Sequence, residues 1–516
     1  MGCSPFRGLD FCRITVVILF LCLLLLYLSL LSKSYLVDGL NFAKVVEDAD
    51  PHAFYFFHPH HLLYAPICYL LYWSARMLGY SGRAVTVLQV FSSIMGALGV
   101  AVFFSFLRRL NIRHLIALIS SLFLAFSYGY WYHSVNVSST LPALALLMIS
   151  LYLLVGLKRS VFSTSLISIC QGLCILFHQI HVLSVVPFLA FFLISGRKRS
   201  IAHYFLGLIS CVAVPYLTVG TIVLRLKSIG EFLHWTTQYL HSEPSYWEVK
   251  ISILLTAVRS MGISLLGGHY LLLSDYRRVL FVAAATLVSV FITFSLFRLL
   301  MHWKELRRAS SSPVLLLSVV YAGVFSFWCP GYYSFWVIQL VPLFSLLSFL
   351  WNEQRQRAQM VLVAVLVIHF GLNLFGNVVP KHLATPGYVE FLYRVRDRTA
   401  RDDLFIIRGL TRAKGRWVEY IDPNILYSLK RDYVTLPDMA RNPEQAMGEI
   451  ERRVMGGLGV YLWWDLEASA LEDPTLPHKD VLVRVLSRYD RAPAFSSHGY
   501  TVWKLTPTKR KEDLPK

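Results

Sequence analysis

Residues 38–64 read DGLNFAKVVEDADPHAFYFFHPHHLLY. The stretch carries four carboxylates, Asp38, Glu47, Asp48 and Asp50, and four histidines, His52, His58, His60 and His61. It is the first acid-bearing segment after an apolar run over residues 14–32. Its reading decides the fold: it is either the polar surface of a soluble domain or the first loop between membrane spans. Composition favours the second. Of 516 residues, 56% are hydrophobic and only 15% are charged, well below the charge of a soluble chain. Apolar runs of about twenty residues recur, and each is a candidate transmembrane helix.

The formal charge of +19 raises the question of nucleic acid. The basic residues instead fall in short clusters between apolar runs: Arg108-Arg109, Lys158-Arg159, Arg197-Lys198-Arg199, Arg307-Arg308 and Arg355 with Arg357. That is the pattern of cytoplasmic loops under the positive-inside rule, so no nucleic-acid partner is expected. All eight cysteines lie at or before Cys329, mostly inside apolar runs, and form neither a disulfide framework nor a paired zinc spacing.

These clusters set the topology. Arg7 and Arg13 precede the first span and place the N-terminus in the cytoplasm. The first run lacks a small-residue cleavage site and reads as a retained span. Residues 33–83 are then external. Residues 62–78 could span, but parity would then put Arg108 and Arg109 outside. They read instead as a helix at the outer interface, rich in Tyr64, Tyr69, Tyr72 and Trp73. Further spans are expected over 84–107, 115–132 and 140–157, with two short ones within 164–195. Later spans follow over 203–224, 279–300, 313–328, 335–350 and 360–378. The total is about eleven spans. A second external loop covers 225–276, with 251–266 lying on the outer surface and Arg277 and Arg278 on the unfavoured side.

At Pro380 the composition becomes polar. Residues 380–506 are expected to form a small external α/β domain: short strands over 404–407, 459–463 and 500–505, and helices over 443–454 and 480–487. Residues 507–516 read as a disordered tail. The fold expected is a polytopic α-helical membrane protein, residues 1–379, with this soluble domain after it.

On this topology most acids and histidines of the membrane part face outward. Ionisable groups at the boundary of several spans often mark a shared cavity. Asp38, just beyond the first span, is a candidate general base that takes a proton from an acceptor hydroxyl. The alternative is an ordinary turn aspartate before Gly39. Glu47, Asp48 and Asp50 read as a solvated turn. His58, His60 and His61 could bind a phosphate as imidazolium or donate hydrogen bonds to it, or sit at headgroups while Pro59 starts the interfacial helix. His133 ends one span and Asn136 lies in the following turn. His178 and His181 are one helical turn apart at the next outer turn. Any of these could line the cavity or simply bond a neighbouring helix. Histidine with aspartate also leaves room for a divalent metal, although the spacing matches no standard zinc pattern. Tyr332 and Tyr333 read as interfacial anchors.

The order of these parts resembles GT-C membrane glycosyltransferases. It is most similar to the polyprenyl-phosphate-sugar branch: protein O-mannosyltransferases, the aminoarabinose transferase and the lipopolysaccharide-core galacturonosyltransferases. The residues that carry the resemblance are Asp38-Gly39, then His58-Pro59-His60-His61-Leu62-Leu63-Tyr64-Ala65-Pro66, then Arg108-Arg109 ending a span, then Tyr128-Gly-Tyr-Trp-Tyr-His133. The match runs over about residues 14–200 and is looser beyond. The resemblance implies a GT-C fold in the cytoplasmic membrane of a bacterium. It implies transfer of a hexose or pentose from a polyprenyl-phosphate-sugar donor to an unidentified lipid, polysaccharide or protein acceptor at the external face. Asp38 would then be the catalytic base or its metal-linked equivalent. The chain departs from the family at the second acidic site, where His133-Ser-Val-Asn136-Val-Ser138-Ser139 has no carboxylate. Two other readings remain open here: a transporter or flippase of a lipid-linked sugar, which predicts polar groups at the midplane and paired repeats, and a non-catalytic assembly protein, for which Asp38 is dispensable.

Overall fold

The structure is a computed structural model that describes residues 5–50, 56–156, 160–196, 198–237, 252–301, 312–413, 416–419, 422, 424–466 and 478–508. The chain forms two compact units, Met1–Ala384 and Thr385–Lys516.

The first unit is an all-helical, multi-pass membrane fold. Among the described residues, six helices are long and apolar enough to cross a bilayer, or seven if a bent pair is one span, and five shorter apolar helices accompany them: Thr140–Val155, Val161–Phe177, Gln179–Ile194, Ser252–Leu266 and Ser312–Phe327. Helix α1 (Pro5–Ser29) leads to α2 (Val37–Asp48) and α3 (Tyr64–Met77), then to the central α4 (Ala84–Arg109). Helix α4 contacts α1, α5 (His114–Phe126), α6 (Tyr128–Ser134) and α7 (Thr140–Val155). Glycine allows one of these contacts: Tyr130 donates to the Gly96 carbonyl at 2.8 Å, and a Cβ at Gly99 would lie 2.5 Å from the same hydroxyl.

Three local readings are corrected. The polar stretch 38–64 is not all loop, because its first part is the α2 helix, with Asp38 in its first turn. Pro59 does not start the following helix. It opens a three-residue 3-10 turn, Pro59–His61, and α3 begins at Tyr64. The run 115–132 is not one straight span. It breaks at Ser127, whose backbone is extended, and α6 leaves α5 at 67°. Breaking a helix in a membrane frees carbonyls that need partners. Here the Asn373 side-chain amide donates to the Phe126 carbonyl at 2.9 Å, and the Ser127 hydroxyl donates to the Phe123 carbonyl at 2.7 Å.

Past this break come α8 (Val161–Phe177), α9 (Val185–Ile194), α10 (Lys198–Thr218), which runs into a π-turn at Val219–Val223, and α11 (Ile229–Thr236). Helix α12 (Ser252–Leu266), α13 (Tyr276–Met301), α14 (Ser312–Phe327), α15 (Tyr333–Asn352), α16 (Gln356–Asn373) and α17 (Val379–Leu383) complete the unit. Helix α12 packs against α6, α14 and α15, burying Ile253, Ala257, Ser260 and Ser264. Arg277, in the first turn of α13, is paired with Asp275 just before that helix.

The second unit is a three-layer α/β fold. Its five-stranded sheet has the order β4-β1-β5-β7-β6: β1 (Leu404–Ile407), β4 (Asp432–Thr435), β5 (Val460–Leu462), β6 (Tyr489–Ser497) and β7 (Tyr500–Pro507). Strands β4, β1 and β5 are parallel, and β7 and β6 continue the sheet antiparallel. A separate hairpin pairs β2 (Leu410–Ala413) with β3 (Arg416–Glu419). Alternate residues of β1 feed opposite cores. Leu404 and Ile406 pack with Met447, Ile450 and Leu482, from α20 (Pro443–Met455) and α21 (Lys479–Arg488), and with Leu436 and Met439 of α19 (Leu436–Arg441). Phe405 and Ile407 pack with Phe391 and Leu392 of α18 (Gly387–Arg398) and with Trp463. Of the tail, residues 509–516 lie outside the described residues.

Candidate active site

The segment after α1 is tied to the turn after α6. The backbone N–H of Ser32 donates to the Val135 carbonyl at 3.0 Å, and the Gln89 amide of α4 donates to both Ser32 O and Val135 O. Asn136 adds three bonds. Its amide donates to Ser34 O at 2.8 Å, and its Oδ1 accepts from the N–H groups of Leu36 and Val137. Leu36 is the residue before α2, so this turn fixes where α2 begins. Gly39 completes the docking, because a Cβ there would lie 2.9 Å from the Val137 carbonyl oxygen. Asp38 is therefore positioned by its own helix against the 135–139 turn, not by the end of the first span.

The other wall comes from the Pro59–His61 turn. Leu63 N–H donates to Leu176 O at 3.0 Å, Tyr216 of α10 donates to Pro59 O, and His61 Nδ1 bonds Phe177 O at 3.1 Å. The carbonyl can only accept, so the His61 proton sits on Nδ1. The His61 ring meets His178 edge-on, with centroids 4.5 Å apart, and stacks near His58 at 5.8 Å. His178 occupies the break between α8 and α9. His133 Nδ1 bonds the Ser138 hydroxyl at 2.8 Å. His133 Nε2 and His178 Nδ1 are buried without a hydrogen-bond partner among the described residues.

Between these walls lies a cavity of about 420 Å³. Asp38, His60, His61, His133 and His178 all line it, as do Ser138, Ser139 and Thr140. The fourth side is the turn between α14 and α15, with Trp328, Cys329, Tyr332, Tyr333, Ser334 and Phe335. Tyr332 and Tyr333, read from sequence as interfacial anchors, are thus cavity residues. Their place at the junction of two apolar runs was the signal for it. Cys329 holds a left-handed backbone (φ 55°), which turns the chain sharply enough to present both tyrosines.

Three candidates stand back from the cavity. Asn136 is engaged by the backbone bonds already described. His58 is buried behind His60 and His61, its Nδ1 accepting the His60 N–H. His181 is buried and bonded through Nδ1 to the Tyr321 hydroxyl at 2.8 Å. Glu47 is not in a solvated turn: it pairs with Arg83 and accepts the Ala84 N–H. Asp275 pairs with Arg277, and His241 and Glu243 lie outside the described residues.

Asp38 presents its carboxyl to the cavity, so it is solvent-accessible while surrounded by protein. That enclosure raises its pKa above the ordinary aspartate value. Burial lowers His60 to about 3, aided by the neighbouring His61, and lowers His61 to about 4 against the bond to Phe177. No three His, Cys, Asp or Glu side chains form a metal-holding set among the described residues. What the arrangement offers is one carboxylate with a raised proton affinity, facing neutral imidazoles across an enclosed space.

Two solved structures align with the chain over nearly its whole length. ArnT from Cupriavidus metallidurans, bound to undecaprenyl phosphate, matches with a TM-score of 0.63 at 13% identity, covering 95% of this chain and 97% of that one. The chain has the fold of ArnT. The apo state of the same protein matches with a TM-score of 0.63 at 12% identity, covering 97% and 98%. The architecture expected of a GT-C membrane protein is therefore the one found. No family model and no curated protein matches the chain.

Proposed function

We propose that this chain is a GT-C glycosyltransferase that moves a sugar from a polyprenyl-phosphate carrier to an acceptor hydroxyl at the external face of the cytoplasmic membrane. The observation that carries the reading is the convergence of Asp38, His60, His61, His133 and His178 on one cavity, within a fold shared with a protein that binds undecaprenyl phosphate. Asp38 takes the proton of the acceptor hydroxyl. The oxygen attacks the anomeric carbon, the bond from that carbon to the phosphate oxygen breaks, and the phosphate leaves on its lipid. The raised proton affinity of Asp38 suits a base that must hold a proton during the transfer. His60, His61, His133 and His178 stabilise the departing phosphate. His58, His181 and Asn136 act one layer back, holding the walls in place. Residues 380–506 form an external domain, the N-terminus is cytoplasmic, and the sugar is a hexose or a pentose.

The test compares envelope glycolipids and glycans, by mass spectrometry, from cells expressing the wild type or Asp38→Asn. A sugar modification that depends on Asp38, with equal membrane levels of both proteins, is expected. An identical product from a folded Asp38→Asn overturns the mechanism. A reporter fused at Lys516 that proves cytoplasmic overturns the sidedness.

A further inference from the structure

Among the described residues, no lysine or arginine lines the cavity that holds Asp38. A lipid phosphodiester brought into it adds a negative charge beside a carboxylate. Two like charges in an enclosed site need a counter-charge or must lose one ionisation. The titratable groups facing the space are Asp38 from α2, His60 and His61 from the turn before α3, His133 from α6 and His178 from the α8–α9 break. Cys329, Tyr332 and Tyr333 face it from the turn before α15. Behind them lie His58, His181 with Tyr321, and Lys381 of the α17 helix. Lys381 does not line the cavity: it donates to the Tyr128 hydroxyl at 2.6 Å, sits 4.0 Å over the Tyr132 ring, and adds its charge to the burial that lowers the pKa of His133.

The imidazoles remain. His61 spends its one neutral-state proton on the Phe177 carbonyl, which leaves Nε2 a lone-pair atom. A lone pair repels a phosphate oxygen, whereas an N–H at the same atom attracts it. His178, 4.5 Å away between centroids, has an unpartnered Nδ1. We infer that the phosphate of the lipid carrier is bound together with a proton, which converts one imidazole of the His61–His178 pair into an imidazolium that balances the charge. The imidazoles start neutral near pH 7, since burial holds His60 and His61 well below ordinary histidine. The inference rests on the reading of the cavity as a lipid-phosphate site, and it adds that the site recognises a phosphate by proton uptake instead of by fixed cations.

The probe is the methyl ester of undecaprenyl phosphate, a phosphodiester with no proton to gain near neutrality, so any proton taken up goes to the protein. Full-length protein in nanodiscs is titrated calorimetrically from pH 6.5 to 8.5, in two buffers of different ionisation enthalpy. The expected result is uptake of about one proton per ligand, with Kd rising by up to about tenfold per pH unit. His61→Gln keeps an amide donor toward Phe177 but cannot titrate; combined with His178→Gln it is expected to abolish the uptake. Tight binding with no uptake and a flat pH profile overturns the inference and leaves the proposed function standing. Uptake that persists in the folded double variant overturns the assignment to this pair. Absence of binding at every pH overturns the lipid-phosphate reading itself. The wild-type measurement decides the main point even if the double variant misfolds.

Discussion

The Cβ position of Gly39 lies 2.9 Å from the carbonyl oxygen of Val137 and 2.8 Å from its Cβ. The residue beside the candidate base is thus in contact with the backbone of the turn that follows α6. Gly39 is helical, so alanine would be intrinsically better there by about 1 kcal/mol. The backbone oxygen cannot swing aside as a side chain can. We expect Gly39→Ala to push α2 off the turn at a strain cost of about 1–3 kcal/mol. Transfer is expected to fall about 10²-fold, because Asp38 moves with its helix. Activity at the wild-type level, measured beside a melting curve, would mean that α2 is not what positions Asp38.

The raised pKa of Asp38 has consequences of opposite sign for activity and stability. The base must be ionised, so kcat/KM should fall as pH drops through the raised value. Its acid limb should therefore lie above the ordinary aspartate value of 3.8. A profile flat down to pH 4 would remove Asp38 as the base. For stability, a folded pKa above the unfolded one contributes stability that is complete below the unfolded value and lost as pH rises through the folded value. At neutral pH the ionised Asp38 is thus a cost. Asp38→Asn should unfold at the same or a higher temperature than the wild type while transfer falls roughly 10²–10⁴-fold. A variant that is both inactive and less stable would point to a structural role.

Glu47 joins α2 to α4. Its carboxylate receives Arg83 Nε at 2.8 and 3.1 Å and the Ala84 N–H at 2.9 Å. Helix α4 has no side-chain cap from its own N-cap residue, Arg83, so Glu47 supplies an anion to that N-terminus from another helix. Glu47→Ala should cost about 1–2 kcal/mol in unfolding free energy. Asp48→Ala, which removes only an exposed i,i+4 contact with Lys44, should stay within about 0.5 kcal/mol. Equal effects of the two in denaturant titrations would refute the capping role.

The helical architecture was legible because hydrophobic runs and basic clusters are local signals: parity alone split residues 164–195 into α8 and α9. Strand β1 was legible from its apolar run. Strands β4 and β6 were missed because they are the two edge strands, largely exposed, and β6 carries Pro493 beside a register shift. In the site, sidedness gathered Asp38 with the histidines but could not rank them. His133 and His178 face the cavity while His181 does not, and that depends on a partner as remote in sequence as Tyr321. The acids that first stand out in residues 38–64 divide the same way: Glu47 is a structural ligand, and Asp38 alone faces the cavity.

The break at Ser127 was hidden for the same reason, and it gives the sharpest test of the fold. Leu124, Ala125, Phe126 and Tyr128 continue an apolar pattern with nothing to mark an interruption. The partner that makes the break tolerable lies on α16. Asn373 Nδ2 donates both to Phe126 O at 2.9 Å and to Leu265 O at 3.0 Å. Its Oδ1 accepts from Asn377, whose own Oδ1 takes the N–H groups of Gly268 and His269. One buried amide thus serves the ends of both α5 and α12. Asn373→Leu is close in volume but leaves two carbonyls and the Asn377 amide short of a partner. Each orphaned buried group costs about 1–3 kcal/mol. The loss should be larger than for Ser127→Ala, which removes the hydroxyl bond back to Phe123 and a longer one of 3.5 Å with His369. Because α6 carries His133 into the cavity wall, the Asn373→Leu protein should also lose transfer activity at temperatures where it is still folded. Thermal unfolding and transfer assays on the two variants decide it. An Asn373→Leu protein as stable and active as the wild type would mean that the bent span does not depend on this amide.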